Sequence, residues 1–335
     1  MENKQQKVSI GMPVWNGGDF IKQTLDSLLA QDFTDFELII SDNTSTDKTK
    51  EICKEYAERD NRIKYYRNDV NIGAEANFKK VLDLANAPYF MWASYDDLWE
   101  PTYISEMVKV LDTNKSVVVA FCVSDSIDAN GKQLWVHKDH LNLFSKGTTF
   151  KRSFKFLIKS PWYHQANIIY GLMRTSVIKN IGGMINFEKF RENRLNRGGY
   201  AVDLLTIFRL IFEGDFYIIN KVLFHHRLMR KDTDNYLKSN KKIEIISIFF
   251  SKVFNMFRNV HTYSNGLRRI IYESDLKSYQ KYFLFCVTFV QEFKMFIGHL
   301  FYYFISFLKF MFSKVYRKEY YINLSSNSNF KEKKV

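Results

Sequence analysis

The sequence predicts an α/β fold: a mainly parallel sheet flanked by helices, followed by a helical C-terminal extension. Three observations predict it. From Val8 onward, short β-branched runs alternate with helix-period runs, the pattern that crossover connections between parallel strands impose. Polar, turn-forming clusters follow the apolar runs, where open α/β sheets bind ligands. From about Lys241 the texture changes to long helical stretches rich in Phe and Tyr.

Strands are expected at 8–14, 36–41, 63–66, 89–93 and 116–123, each a continuous apolar run of the kind buried parallel strands need. Between the first two, Ile21, Leu25, Leu28 and Leu29 fall on one helical stripe. Ahead of the fourth strand Phe78, Val81, Leu82 and Ala85 do the same, and both stripes face a sheet. Asn130-Gly131, between Ile127 and Leu134, is a hairpin signal and ends the parallel run. Beyond it, 150–158 and 201–212 read as helices, the second with Leu204, Phe208 and Ile211 on its stripe, and 216–226 is strand-rich.

The 335 residues, 46% hydrophobic and 25% charged, exclude a disordered chain and a fibrous repeat. Cys53, Cys122 and Cys286 are far apart and without metal-type spacing. They read as reduced packing residues in a cytosolic setting. The polar N-terminus lacks an apolar stretch of signal-peptide length, so export is not expected.

Charge is divided along the chain. Residues 1–140 hold 16 Lys/Arg against 23 Asp/Glu, 141–240 hold 17 against 7, and 241–335 hold 16 against 6. A nucleic-acid binder concentrates basic residues around its recognition elements, whereas here the best-patterned part is acidic, so no nucleic-acid partner is expected. Anionic lipid headgroups or a phosphate-bearing acceptor suit the basic rear. Residues 283–312 are the most apolar stretch, yet only 14 uncharged residues separate Lys294 from Lys309, short of the roughly 20 a spanning helix needs. An aromatic helix ending in Lys309, Lys314, Arg317 and Lys318 suits the plane of an anionic membrane surface. A buried core helix or a homo-oligomer contact is the alternative use of that segment.

The chemistry lies in the strand-end clusters. Pro13-Val14-Trp15-Asn16-Gly17-Gly18 can lay backbone and a ring beside a flat base. In Ser41-Asp42-Asn43-Thr44-Ser45-Thr46-Asp47, Asp42 can accept the ring N–H of a uracil-like or guanine-like base, and Thr46 or Asp47 can cap the next helix. In Asn71-Ile72-Gly73-Ala74-Glu75-Ala76-Asn77, Gly73 permits close approach of a ligand and Asn77 begins a helix aimed at the same crevice. Asp96-Asp97 are adjacent carboxylates at a strand end, ahead of a helix initiated by Pro101. Two such groups need a compensating cation, and Mn2+ or Mg2+ completed by water and diphosphate oxygens would supply it. A helix-capping turn is the ordinary use of such a pair in isolation. His225, His226 and Arg227 end a strand region and could reach a diphosphate or add a metal ligand, although paired His is commonly a half-buried strand pattern. Lys151, Arg152, Lys155 and Lys159 lie along one helix, toward acidic lipid, an acceptor diphosphate or solvent.

These pieces resemble the family 2 glycosyltransferases of the GT-A fold, a Rossmann-like architecture, over about residues 8–230. The matching segments are Val8 to Asn16, Ser41 to Asp47, Asn71 to Ala74, and Tyr95-Asp96-Asp97 with Pro101 behind. The resemblance implies a nucleotide-sugar site in which Pro13, Asn16 and Asp42 hold the nucleoside, with Val14, Asn71 and Gly73 beside them. Asp96 then lies near ribose or sugar, and Asp97 holds Mn2+ or Mg2+ on the diphosphate. Many relatives carry an acidic residue two positions before the paired Asp, where this chain has Ser94. The family's general base stands at the start of a later helix, and Gly198-Gly199-Tyr200-Ala201-Val202-Asp203 resembles that segment, with Asp203 as the one carboxylate.

The resemblance implies a metal-dependent, inverting transfer of one sugar from a UDP-, dTDP- or GDP-sugar to a glycan or lipid-linked acceptor, in cell-surface polysaccharide or glycoconjugate assembly. Processive relatives carry Gln-x-x-Arg-Trp, which is absent from this sequence. The expected organisation is a catalytic domain at 1–235 with its acceptor region at about 141–235, then a helical, aromatic, basic region at 236–319 that associates with the cytosolic membrane face or oligomerises, then a disordered polar tail at 320–335. A nucleotidyltransferase is an alternative, but no Gly-rich segment with a basic residue stands near Val14. A non-catalytic membrane-docked scaffold is the other.

Overall fold

A computed structural model describes residues 5–138, 147–158, 166–184, 201–228, 242–298 and 300–301. Gly198, Gly199 and Tyr200, Lys159, the Lys309 to Lys318 cluster and the 320–335 tail lie outside the described residues. The chain divides into two compact units, Met1–Lys231 with Asn265–Thr288, and Asp232–Ser264 with Phe289–Val335.

The first unit is built on a nine-stranded mixed sheet. Its strands are β1 (Val8–Val14), β2 (Phe36–Asp42), β3 (Ile63–Arg67), β4 (Tyr89–Trp92), β5 (Leu98–Trp99), β6 (Val117–Ile127), β7 (Gln133–His137), β8 (Leu172–Arg174) and β9 (Asp215–Arg227). Their order is β3-β2-β1-β4-β8-β6-β9-β5, with β7 paired to β6 outside that path. β1 pairs in parallel with β2 and with β4, and β2 with β3. The helices are α1 (Ile21–Leu29), α2 (Thr49–Arg59), α3 (Ala74–Leu84), α4 (Tyr103–Thr113), α5 (Thr149–Ile158), α6 (Thr175–Asn180), α7 (Val202–Glu213), α8 (Lys242–Glu273) and α9 (278–298). Ala166–Tyr170 forms a 3-10 turn ahead of β8.

The predicted strands are found within a few residues of their expected limits, for the reason the sequence supplied: every residue of β1, β4 and β6 is buried. Ile21, Leu25 and Leu28 of α1 and Val81 and Leu82 of α3 are buried, as their spacing requires. The hairpin forms at Asn130-Gly131, where β6 and β7 pair antiparallel. It does not end the parallel order, however. β9 returns beside β6 in parallel, and antiparallel β8 is wedged between β4 and β6. Asn77 also departs from expectation. The helix starts three residues earlier, and Asn77 is buried inside it, donating from Nδ2 to the Ser41 carbonyl at 2.8 Å and accepting from Ser41 Oγ at 2.6 Å. It ties α3 to β2.

Cys53 and Cys122 are buried packing residues, and burial pushes the Cys53 thiol up to about 12. Cys286 is exposed, because it lies on a face of α9 that its unit does not cover. In the second unit, Phe257 and Phe296 stack with centroids 3.7 Å apart, and His261 Nδ1 meets Glu292 Oε1 at 2.8 Å. No helix among the described residues is long and apolar enough to cross a membrane.

Gly171 sits where the 3-10 turn enters β8, and a Cβ there would lie 2.7 Å from the Ala120 carbonyl oxygen and 3.1 Å from that of Ile168. Both neighbours are backbone and cannot swing aside. Gly171→Ala is expected to cost about 1–3 kcal/mol, the usual range for overpacking, read as a lower urea midpoint at unchanged m-value.

Candidate active site

In the order β3-β2-β1-β4 successive parallel strands are added first to one side of β1 and then to the other, so the carboxyl ends of β1 and β4 flank the crevice where open α/β sheets receive ligands. On the β1 side, Pro13 and Val14 are buried strand residues. Trp15 is exposed and Asn16 takes a left-handed backbone with φ 51°. That turn is held from β2: Asn16 N–H donates to Ser45 Oγ at 2.9 Å, and Asn16 Oδ1 accepts from Thr46 N–H at 2.8 Å. Asp47 accepts from Gly18 N–H at 2.8 Å and from Thr49 N–H at 3.0 Å, so it serves both the β1 turn and the start of α2.

Asp42 ends β2 with no solvent exposure. Its Oδ1 accepts from Ser45 N–H at 2.8 Å. Its Oδ2 accepts from Tyr65 Oη at 2.8 Å and forms an ion pair with Arg67, whose side chain is partly exposed at the end of β3. Arg67 is therefore the solvent-facing member of the pair. Asn71 is exposed; its Oδ1 accepts from Asn43 Nδ2 at 2.7 Å and from Gly73 N–H at 2.9 Å, closing the loop ahead of α3. Gly73 has φ 86° and no atom within 4 Å of where a Cβ would stand, leaving open space at the helix start.

On the β4 side the paired carboxylates differ sharply. Asp96 is half-buried and accepts from Ser94 Oγ. Burial first, and the neighbouring Asp97 charge second, raise its pKa, with Ser94 offsetting part of the effect. Asp97 is 1% exposed. Its Oδ1 accepts from Arg227 N–H at 2.8 Å and meets His226 Nδ1 at 3.2 Å. Its Oδ2 is buried without a hydrogen-bond partner among the described residues, which for a carboxylate oxygen is costly unless a ligand completes it. Among the described residues no group of three or more His, Cys, Asp or Glu forms a ready metal cage.

The register of β9 brings residues 225–227 here. β5, directly after Asp97, pairs antiparallel with β9, setting Leu98 opposite His225 and Trp99 opposite Phe224. Of the three polar residues, the structure brings His226 to the Asp pair. Burial opposes its charged form, but the Asp97 hydrogen bond and the fields of Asp97 and Asp96 outweigh it, so its pKa is raised. His225 instead bridges Asp125 Oδ1 at 2.7 Å and Glu100 Oε1 at 3.0 Å. Arg227 is a buried clamp, 2% exposed. Its guanidinium donates to the carbonyls of Asp96 at 2.7 Å and Ala129 at 2.7 Å and to Gln23 Oε1 at 2.9 Å, and it covers the Phe20 ring at 4.9 Å. It holds the Asp96-Asp97 turn, α1 and the β6–β7 hairpin together and spends its donors inside the protein.

Asp203 lies in the first turn of α7, after Ala201 in a left-handed conformation, and its Oδ1 accepts from Leu204 N–H at 2.8 Å. Burial raises its pKa. Burial first, then the charges of Asp97, Asp96 and Asp203, drive the Tyr170 phenol well above its ordinary pKa. Sequence reasoning passed over Tyr170 and Arg67. Arg67 follows the same strand-end rule as its neighbours, whereas Tyr170 stands in a short turn with no periodic signal. Thr24 was also missed; its hydroxyl meets the carbonyls of Tyr95 and Asp97 at 2.8 and 2.9 Å and fixes the turn from α1.

The family model for Glycosyl transferase family 2 matches residues 9–178. A curated relative, the putative teichuronic acid biosynthesis glycosyltransferase TuaG of Bacillus subtilis, is 26% identical over 242 residues, 72% of this chain and 85% of its own length. Among solved structures, S. aureus TarS residues 1–349 in complex with UDP-GlcNAc aligns with a TM-score of 0.60 at 16% identity, covering 86% of this chain and 73% of that one. The mannosyltransferase PcManGT of Pyrobaculum calidifontis, in complex with GDP-Man and Mn2+, aligns with a TM-score of 0.52 at 13% identity, covering 86% and 74%. These last two likenesses are of fold.

Arg227→Ala would leave several buried carbonyls without donors and is expected to cost roughly 3 kcal/mol in urea denaturation, with Arg227→Lys recovering only part. His225 supplies a pH test. Its pKa is raised: burial opposes the charge, but Asp125 and Glu100 prevail. Its contribution to stability is therefore complete below about pH 6.5, the ordinary imidazole value, and is lost as pH rises through the higher folded value. The melting temperature should fall over that interval, and fall less steeply in His225→Gln.

Proposed function

Since this chain belongs to glycosyl transferase family 2, we propose that it transfers a single sugar from a nucleotide-sugar to a hydroxyl of a glycan or lipid-linked acceptor, with inversion and with a divalent cation. The observation that carries the reading is the Asp96-Asp97 turn, with one buried oxygen of Asp97 clamped and the other unpartnered. A hard oxygen donor, buried in the turn after β4 and unpartnered among the described residues, fits Mn2+ or Mg2+. Asp97 would hold the ion, with His226 and Asp96 beside it and diphosphate oxygens and water completing the shell. When bound, the cation would supply positive charge for the departing diphosphate. That relatives of the same fold are solved with UDP-GlcNAc and with GDP-Man and Mn2+ supports a UDP-, dTDP- or GDP-sugar donor and leaves the base open.

The chain's own residues divide the work. The nucleoside would lie at the β1 and β2 ends, over Pro13, Val14 and Asn16, with the Asp42–Arg67 pair as its polar wall and the Asn71-Gly73 loop alongside. Asp96 would face the ribose or sugar. Asp203 would take the proton from the acceptor hydroxyl as that oxygen attacks the anomeric carbon, while the nucleoside diphosphate leaves from the opposite face with the bonding pair. A raised pKa suits this role, because it makes the carboxylate a stronger base. The likeness to TuaG supports cell-surface polysaccharide or glycoconjugate assembly. The basic, aromatic C-terminal region supports peripheral attachment to the cytosolic membrane face.

The test is a panel of nucleotide-sugars with Mn2+ or Mg2+, scoring release of nucleoside diphosphate. One donor should turn over. Asp97→Asn and Asp203→Asn should each reduce kcat by about 10²-fold or more. The acidic limb of kcat/KM should lie above the ordinary Asp pKa of about 3.9 and vanish in Asp203→Asn. Inactivity with every donor, together with no nucleotide-induced rise in melting temperature, would favour a non-catalytic scaffold.

A further inference from the structure

In the first unit, α5 and the first part of α9 frame a groove of about 560 Å3, lined by Phe150, Phe154, Tyr279, Tyr282, Phe283 and Cys286. Phe283 lies against both rings of α5, with centroids 5.8 Å from Phe150 and 5.6 Å from Phe154. The groove exists because α5 has two apolar edges. Ser153, Phe156 and Leu157 are buried, with Phe156 stacked on Phe208 of α7 at 5.1 Å. Phe150 and Phe154, one turn apart, are left over for the outer edge. On α9, Leu284 is fully buried while Tyr279 and Tyr282 are 67% and 74% exposed.

The chemistry of the groove selects its occupant. Its floor is aromatic, with the only polar groups being the Tyr279 and Tyr282 hydroxyls and the Cys286 thiol, so a sugar, a nucleotide or a peptide backbone would lose more hydration there than those few groups return. Its surroundings are basic: residues 147–158 and 265–288, which build it, hold seven Lys/Arg against two Asp/Glu, and after the buried Arg152 and Arg268 and the Arg269–Glu273 pair are set aside, Lys151, Lys155, Lys277 and Lys281 remain as the cations of its rim. Lys151 is exposed next to Phe150, and Lys155 is partly exposed next to Phe154. Arg152 takes no part, being buried and paired with Asp215 at 2.7 Å. An apolar floor, wet tyrosines at the edge and a cationic surround match an anionic amphiphile, hydrocarbon inward and headgroup outward. Six side chains are also far fewer than the roughly 20–30 residues a side of a stable protein interface.

We propose that this groove takes a hydrocarbon chain of an anionic lipid, so that the catalytic unit is seated on the membrane through α5 and the start of α9. The inference rests on the membrane attachment proposed above and places that contact on α5 together with the part of the C-terminal region, residues 265–288, that belongs to the first unit.

The test uses the full chain with vesicles of phosphatidylcholine alone, or mixed equally with phosphatidylglycerol. In Phe283→Trp, the introduced indole should be quenched by lipids brominated along the acyl chain, in the anionic vesicles and beyond the wild-type background. Phe154→Ser with Phe283→Ser should lower partitioning onto anionic vesicles by roughly a hundredfold or more, the scale of two buried aromatic side chains. Lys151→Glu, which leaves the floor intact, should lower it about fivefold. Circular dichroism checks that each variant is folded. An unquenched indole or unchanged partitioning in the double Ser variant overturns the proposal, as does a dimer that the same variant dissolves, which would make a second copy the occupant. Nucleoside diphosphate release is scored in parallel without vesicles. Lipid insertion without turnover would sink the enzymatic reading and leave the groove standing; turnover without insertion would do the reverse.

Discussion

One buried carboxylate organises the centre of this molecule. Asp97 has a single oxygen fixed by a backbone amide and an imidazole, and a second that none of the described residues satisfies. A carboxylate removed from water and half-paired is expensive, and a fold keeps such a group only where the rest of the structure determines its position. Here the cost is concentrated at the point where β1 and β4 open the crevice, which is where a charged ligand would recover it.

Much of the sheet serves that placement. β5 is only two residues long, yet it pins the chain directly after Asp97 against β9. β9 in turn lies parallel to β6 along its length, so its last residues arrive level with the carboxylates. Arg227 then locks the turn from beneath, joining Asp96, Gln23 and the hairpin at Ala129. Thr24 holds the same turn from α1. The acidic pair is thus supported from strand, helix and hairpin at once, which fixes the positions of both carboxylates.

The front half of the fold was legible because its information is local. Continuous apolar runs gave β1 to β4 and the start of β6 almost to the residue, and the i, i+4 stripes gave α1 and α3 their buried faces. The carboxylates at 42, 96, 97 and 203 stood out as polar residues at strand or helix ends. What stayed hidden is long-range. Nothing in the local pattern of 215–227 says that this strand lies beside β6 rather than at an edge, or that β8 intervenes in the opposite direction. Asn77 reads identically whether it faces a ligand or a neighbouring strand, and only the partner, Ser41, decides. His225, His226 and Arg227 are adjacent in sequence, yet one bridges two distant acids, one meets Asp97 and one is a buried clamp, a division set by strand pleat and pairing register.

The most direct measurement of the central claim is electron paramagnetic resonance of Mn2+ titrated into the protein with and without a nucleoside diphosphate. The account predicts that the free Mn2+ signal is depleted by the wild-type protein in the presence of the diphosphate, and that depletion is lost in Asp97→Asn although the variant remains folded. Equal depletion by wild type and Asp97→Asn would contradict it, because the unpartnered oxygen would then have no part in holding the ion.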